Sequence, residues 1–120
     1  MNRGRKVTGG KYHKFRKKKL HQKTGQERHV VLGAVKRKLI RVRGGSQNTI
    51  LLRSNIVNLT IEGKTKKAEI VNVKETPQNK FLARSNRLMK GAVIETSLGK
   101  AKITNRPSRE GQVNAVIIKQ

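Results

Sequence analysis

Cysteine, tryptophan and aspartate are absent from these 120 residues, and the aromatics amount to Tyr12, Phe15 and Phe81. Without cysteine there is no disulfide and no thiolate metal site, a usage that fits a reducing compartment. Reading of unstacked bases usually relies on aromatic platforms, so three rings point away from it. Long apolar runs are missing too. The longest, residues 30–35, is interrupted by Gly33, whereas a bilayer span needs about 20 apolar residues. The basic N-terminus is not followed by the apolar stretch of roughly 7 to 15 residues that marks a secretory signal. The expectation is an intracellular protein with no membrane association.

Acids are nearly as scarce: Glu27, Glu62, Glu69, Glu75, Glu95 and Glu110 complete the set. They stand singly, whereas Mg²⁺-dependent phosphodiester cleavage needs convergent carboxylates. His13, His21 and His29 recur every eight residues, which is no metal-ligand spacing, and no Cys or Asp completes a site. A metal-free nuclease using His and Lys is the weakest reading, since nothing singles one out. The chain reads as a non-enzyme with no catalytic residue, no metal, no cofactor and no small-molecule substrate.

What is abundant is positive charge. Thirty Lys and Arg against six acids leave +24, which internal pairing cannot balance. Self-repulsion of that size opposes compaction, and a bound polyphosphate relieves it while releasing condensed counterions. The partner implied is nucleic acid. The first 29 residues carry eleven of the cations and one acid, +10 of the total. Apolar residues there have no helical spacing, and Gly4, Gly9, Gly10 and Gly25 interrupt any helix. Residues 1–29 are expected to form a basic extended tail that orders on its target.

From residue 30 the texture changes to short β-branched runs divided by turn residues. Residues 36–43 and 49–53 read as strands on either side of Gly44-Gly45-Ser46. Residues 56–61 and 67–74, separated by Glu62-Gly63-Lys64-Thr65, resemble a hairpin, with Val71 and Val73 on one face against Ala68, Ile70 and Asn72. Residues 80–89 read as a helical turn or irregular crossover, with Phe81 assigned to the core. Residues 92–97 and 100–104 follow, the latter with Ala101 and Ile103 inward, then a basic loop over 105–111. A last strand over 113–118, apolar on both faces, should be central. Residues 30–120 are therefore expected to be all-β, a small closed or nearly closed barrel of about six short strands that hides its edges.

Several stretches, taken in order, resemble one family. They are Arg5-Lys6-Val7-Thr8-Gly9-Gly10, Arg16-Lys17-Lys18-Lys19, Ile40-Arg41-Val42-Arg43-Gly44-Gly45, Lys90-Gly91-Ala92-Val93-Ile94-Glu95-Thr96, Leu98-Gly99-Lys100-Ala101 and Val113-Asn114-Ala115-Val116. Their order and spacing resemble the archaeal and eukaryotic small-subunit ribosomal protein S-eight-e family over nearly the whole chain, with a length like the archaeal form. One departure is Leu20-His21-Gln22-Lys23-Thr24-Gly25, where family members often carry an acid. The resemblance implies a β-barrel body, a tail laid into small-subunit rRNA, other small-subunit ribosomal proteins as partners, a cytoplasmic ribosomal location and no enzymatic activity.

The candidate RNA-binding residues begin in the tail. Arg16, Lys17, Lys18 and Lys19, with Arg3, Arg5, Lys6, Lys11, Lys14 and Lys23, place point charges on a flexible backbone able to follow an RNA groove, His13 serving as a polar contact. The competing reading is a solvated basic run or a nuclear-import signal. Thr8-Gly9-Gly10 and Arg43-Gly44-Gly45 would let backbone N–H groups approach a phosphate as an anion nest, though both also read as plain turns. Arg41 and Arg43 would grip phosphates bidentately at the second. Lys36, Arg37, Lys38 and Arg106 complete the set. Asn58 to Thr65 ends like a phosphate-binding loop, but Asn58 stands where that loop needs glycine. Asn58-Leu59-Thr60 matches a glycosylation triplet without secretory context.

The function expected is a structural constituent of the small ribosomal subunit that binds rRNA by phosphate neutralisation and shape fit. Its rivals are a ribosome-assembly factor on the same fold and an architectural nucleic-acid-binding protein.

Overall fold

A computed structural model describes residues 4–13, 16–25 and 27–118. Nine strands and two short helices follow one another: β1 (Val30–Leu32), β2 (Lys36–Arg41), β3 (Gln47–Ser54), β4 (Ile56–Ile61), β5 (Lys64–Glu75), α1 (Lys80–Arg84), β6 (Arg87–Leu88), β7 (Val93–Thr96), β8 (Gly99–Ile103), α2 (Pro107–Glu110) and β9 (Asn114–Ile117). Five of them, β4-β5-β7-β8-β9, close into a barrel. The closing seam is the parallel pairing of β4 with β9, which leaves no free edge. The other four strands form a separate sheet in the order β2-β3-β1-β6.

A five-stranded barrel has a narrow interior, and the chain fills it by setting large side chains against alanine across the ladders. Val57 faces Ala68, Leu59 faces Ala115, Ile94 faces Ala101 and Ile103 also faces Ala115. All of these are buried. Alternating large and small residues is how a small barrel reaches dense packing. Val30, Leu51 and Leu88 of the sheet and Ala83 of α1 join the same apolar cluster, so sheet and barrel share one core.

The passage between them is the single residue Asn55. Ser54, buried at this corner, accepts from the Ile56 N–H at 3.1 Å and its hydroxyl donates to the Ile56 carbonyl at 2.9 Å. That pair of bonds satisfies the polar groups a strand exposes when it leaves one sheet for another.

The hairpin expected around Glu62-Gly63 is β4–β5, and Ala101 and Ile103 point inward. Elsewhere the structure corrects the sequence reading. In β5 a bulge at Val71 places Ile70 against Thr96 but Asn72 against Glu95. The inward set is thus Ala68, Ile70 and Val73, while Val71 faces solvent. One extra residue inverts the alternation beyond it.

Phe81 is not in the core: it is 70% exposed. α1 is a single turn, capped by the Asn79 side chain accepting from the Phe81 N–H, and its inward position belongs to Ala83. The Arg84 guanidinium covers the Phe81 ring at 5.9 Å instead. The loop expected over 105–111 contains α2. β9 does pair on both edges, but only one of its faces is covered: Val113 and Ala115 are buried, Ile117 is partly so, and Val116 and Ile118 remain 45% and 41% exposed. The outer wall of a barrel with no layer over it is solvent.

Candidate nucleic-acid interface

Among the described residues before β1 there is one 3-10 turn, Leu20–Gln22, and one isolated bridge, Arg5 to Lys11. Every described residue from 4 to 25 is exposed. The long axis of the molecule is 67 Å and its radius of gyration 20.6 Å, against about 14 Å for a compact chain of this length.

The two Gly-Gly loops are built alike. In the first, the Lys6 N–H donates to the Gly10 carbonyl at 2.9 Å and the Gly9 N–H to the Lys6 carbonyl at 2.8 Å. In the second, the Val42 N–H donates to the Ser46 carbonyl at 2.8 Å and the Gly45 N–H to the Val42 carbonyl at 3.3 Å. Gly9, Gly44 and Gly45 have φ of 82°, 85° and 82°, a region that costs other L-residues roughly 1–2 kcal/mol. The Gly9 and Gly45 amides therefore close the turns and are not held out as an anion nest. What the loops present is arginine. Arg5 Nη1 donates to the Gly9 carbonyl at 3.0 Å, and a Cβ added to Gly45 would lie 4.0 Å from Arg41 Nη2.

Arg5, Lys6, Thr8, Gly9, Gly10, Lys11, His13, Arg16, Lys17, Lys18, Lys19 and Lys23 are all exposed, as are Lys36, Arg37, Lys38, Arg41, Arg43, Gly44, Gly45 and Arg106. Arg3, Lys14 and the ring of Phe15 lie outside the described residues. The Lys6 ammonium sits 5.8 Å from the Tyr12 ring, tying that ring to the first loop. Arg37 has a second occupation: its Nε donates to the Gly111 carbonyl at 3.0 Å and links the sheet to the segment before β9.

A cleft of about 880 Å³ opens where distant segments meet. Its walls carry four cations, Arg28, Lys90, Arg106 and Arg109, of which only Arg106 was expected from the sequence. The apolar Ile50, Leu88, Met89 and Pro107 line the same cleft. Glu110 does not neutralise this group through an ion pair. Its carboxylate accepts from the Arg106 backbone N–H at 3.3 Å and from the Asn105 amide at 3.0 Å. Asn105 also donates to the Gln112 carbonyl and accepts from the Asn114 N–H. The loop is thereby folded back on itself, and Arg106 and Arg109 are both exposed. Gly111, at φ 73°, ends α2 where a Cβ would meet the Thr49 carbonyl at 3.2 Å, so glycine lets α2 close onto β3.

Lys74 meets Glu95 at 3.1 Å and His29 approaches Glu27 at 3.9 Å. No grouping of three or more His and Glu among the described residues could hold a metal ion. No described helix is long and apolar enough to cross a membrane.

The family model for ribosomal protein S8e matches residues 1–118. The small ribosomal subunit protein eS8 of Methanococcus aeolicus is 43% identical over 122 aligned residues, covering 97% of this chain and 93% of the relative. Those of Staphylothermus marinus and Methanocella arvoryzae are 41% and 40% identical, covering 97% and 95% of this chain and 93% of each relative.

Proposed function

The chain belongs to the ribosomal protein S8e family, and from that membership we propose that it is a structural component of the small ribosomal subunit that binds rRNA by neutralising phosphates and fitting a folded RNA surface. The observation that carries the proposal is the charge excess. Six acids cannot pair thirty cations, and Glu110 is held by backbone and amide donors. At least two dozen cations thus await an external polyanion. Each phosphate they neutralise releases condensed counterions and adds to affinity.

The division of labour follows from shape. The N-terminal segment ahead of β1 supplies a line of charge that follows a groove and offsets repulsion between RNA helices. The strands from β1 to β9 supply a folded body whose β2–β3 loop presents Arg41 and Arg43. Neighbouring small-subunit proteins complete the surroundings, in a ribosome working in the cytoplasm. Little of this requires chemistry at a reacting centre, and the protein acts by charge and fit.

The test is rRNA affinity measured across a salt series. Replacing Arg16, Lys17, Lys18 and Lys19 together by alanine should weaken binding and lower the slope of log K against log salt by ~0.7 to 0.9 per lost phosphate contact. A slope identical to that of the parent protein would remove the tail from the interface.

A further inference from the structure

The 880 Å³ cleft is poorly explained as one more stretch of phosphate-binding surface. Tracking a backbone requires cations, but it does not require Ile50, Leu88, Met89 and Pro107 to line the same space. We propose that this cleft seats a single everted, unpaired nucleotide of the RNA, its base against the apolar lining and its flanking phosphates on the cationic rim. The inference rests on the rRNA-binding reading above and deepens it.

Four features favour a base. The volume lies within the range of roughly 300–1,000 Å³ typical of small-ligand sites. Three of the four rim cations, Arg28, Arg106 and Arg109, are arginines, whose planar guanidinium groups stack on bases as aromatic rings do. That supplies the platform a chain so poor in aromatics otherwise lacks. Hydrogen-bonding groups suited to a base edge line the same walls. Asn48 and Ser108 make no side-chain hydrogen bond among the described residues, and Gln78 is oriented by donating Nε2 to the Lys90 carbonyl at 2.7 Å. Finally, Glu27 also lines the cleft. A carboxylate opposes a phosphate, yet it accepts well from the amino or imino N–H of a base.

Everting a nucleotide costs least where it is already unpaired, so the ligand is a bulge or loop nucleotide. An acidic segment of a neighbouring protein would also satisfy the rim, but it gives no use for the stacking planes and the base-edge amides together.

The experiment uses the full chain with small-subunit rRNA, following nucleotide protection by base-selective and 2′-hydroxyl-selective chemical probing alongside affinity. Two variants fill the cleft without changing charge, one from β3 and one from α2: Asn48→Trp and Ser108→Trp. The parent protein should protect at least one unpaired nucleotide. Each folded Trp variant should lose that protection and bind about tenfold more weakly, the scale of one lost base stack, with an unchanged salt slope. Substituting Arg106 and Arg109 by alanine should remove the same protection and lower the slope as well. Unchanged protection and affinity in both Trp variants would overturn the nucleotide seat while leaving rRNA binding intact. Unaltered RNA protection with loss of a neighbouring protein from the subunit would overturn it in favour of a protein ligand. Failure of the parent protein to bind the rRNA would instead overturn the underlying reading. Comparing the variants' thermal unfolding with the parent's identifies which of them are folded, and either one suffices.

Discussion

The loops at residues 6–10 and 42–46 share a backbone hydrogen-bond pattern and differ in what lies behind them. The first is closed by one bridge, Arg5 to Lys11, and its Val7 is fully exposed. The second crowns β2 and β3, which pair from Arg41–Gln47 to Lys36–Arg53 over six registered positions, with Leu51 buried beneath. Glycine and two hydrogen bonds specify the shape of a turn in both places. Persistence is a separate matter, because a lone two-stranded hairpin is marginal in water and needs apolar burial to hold it. On the rRNA-binding role proposed above, the second loop would meet RNA already formed, whereas the first would gain its order at the moment of docking, which lowers the affinity gained per contact.

The difference is broken most completely by removing the burial. Leu51→Asp places an unpartnered charge at a position 1% exposed in the shared core, a cost of several kcal/mol against a total stability of roughly 5–15. Cooperative unfolding followed by circular dichroism should disappear. The amide signals of the 6–10 loop seen by NMR should match those of the parent protein, ordered or not, since nothing in that loop draws on the core. A melting transition at the parent temperature would show that Leu51 does not hold the second loop in place.

A smaller change tests how the segment before β9 is fastened to β3. Gly111→Ala forces a side chain into φ 73° and brings its Cβ to 3.2 Å from the Thr49 carbonyl, at the residue whose own carbonyl Arg37 holds. The expected loss is about 2 kcal/mol, most of it from the left-handed backbone, and the melting temperature should fall by about 10 °C. If it fell by less than a degree or two, the α2 cap would have to be pliable enough to abandon that conformation.

Which parts of this were legible from sequence follows from how local each signal is. Ala101 and Ile103 alternate without interruption, so their inward facing is read directly from period 2. The same rule fails at Val71 because a single bulged residue, set by pairing with the distant Thr96 and Glu95, reverses the phase. Phe81 misleads since size alone assigns it to the core, while a one-turn helix has room inward for little more than Ala83. The division into barrel and sheet depends on the corner at Ser54, which carries neither Gly nor Pro. At the interface, the basic runs of the N-terminal segment announce themselves by charge density. Arg28 and Arg109 fall within stretches that read as basic, but their meeting with Lys90 does not show, because the three come from segments far apart in the chain and only the fold brings them to one cleft.

The finest test returns to the two glycines. Gly45 and Gly9 share a φ of 82°. Alanine fits in the available space at both: the nearest atom to the added Cβ is Arg41 Nη2 at 4.0 Å in one case, and nothing lies within 4 Å in the other. The local strain is therefore the same, about 1 kcal/mol at each. Its destination is not. At Gly45 the strain is coupled through six ladder pairs to the core, and Gly45→Ala should lower the melting temperature by about 4–8 °C. At Gly9 the loop opens without disturbing anything buried, so Gly9→Ala should leave the melt in place and be felt only as weaker rRNA binding at constant salt slope. Equal shifts in the two melts would make the front hairpin part of the cooperative unit, and the contrast between a preformed and an induced contact would then have no physical basis.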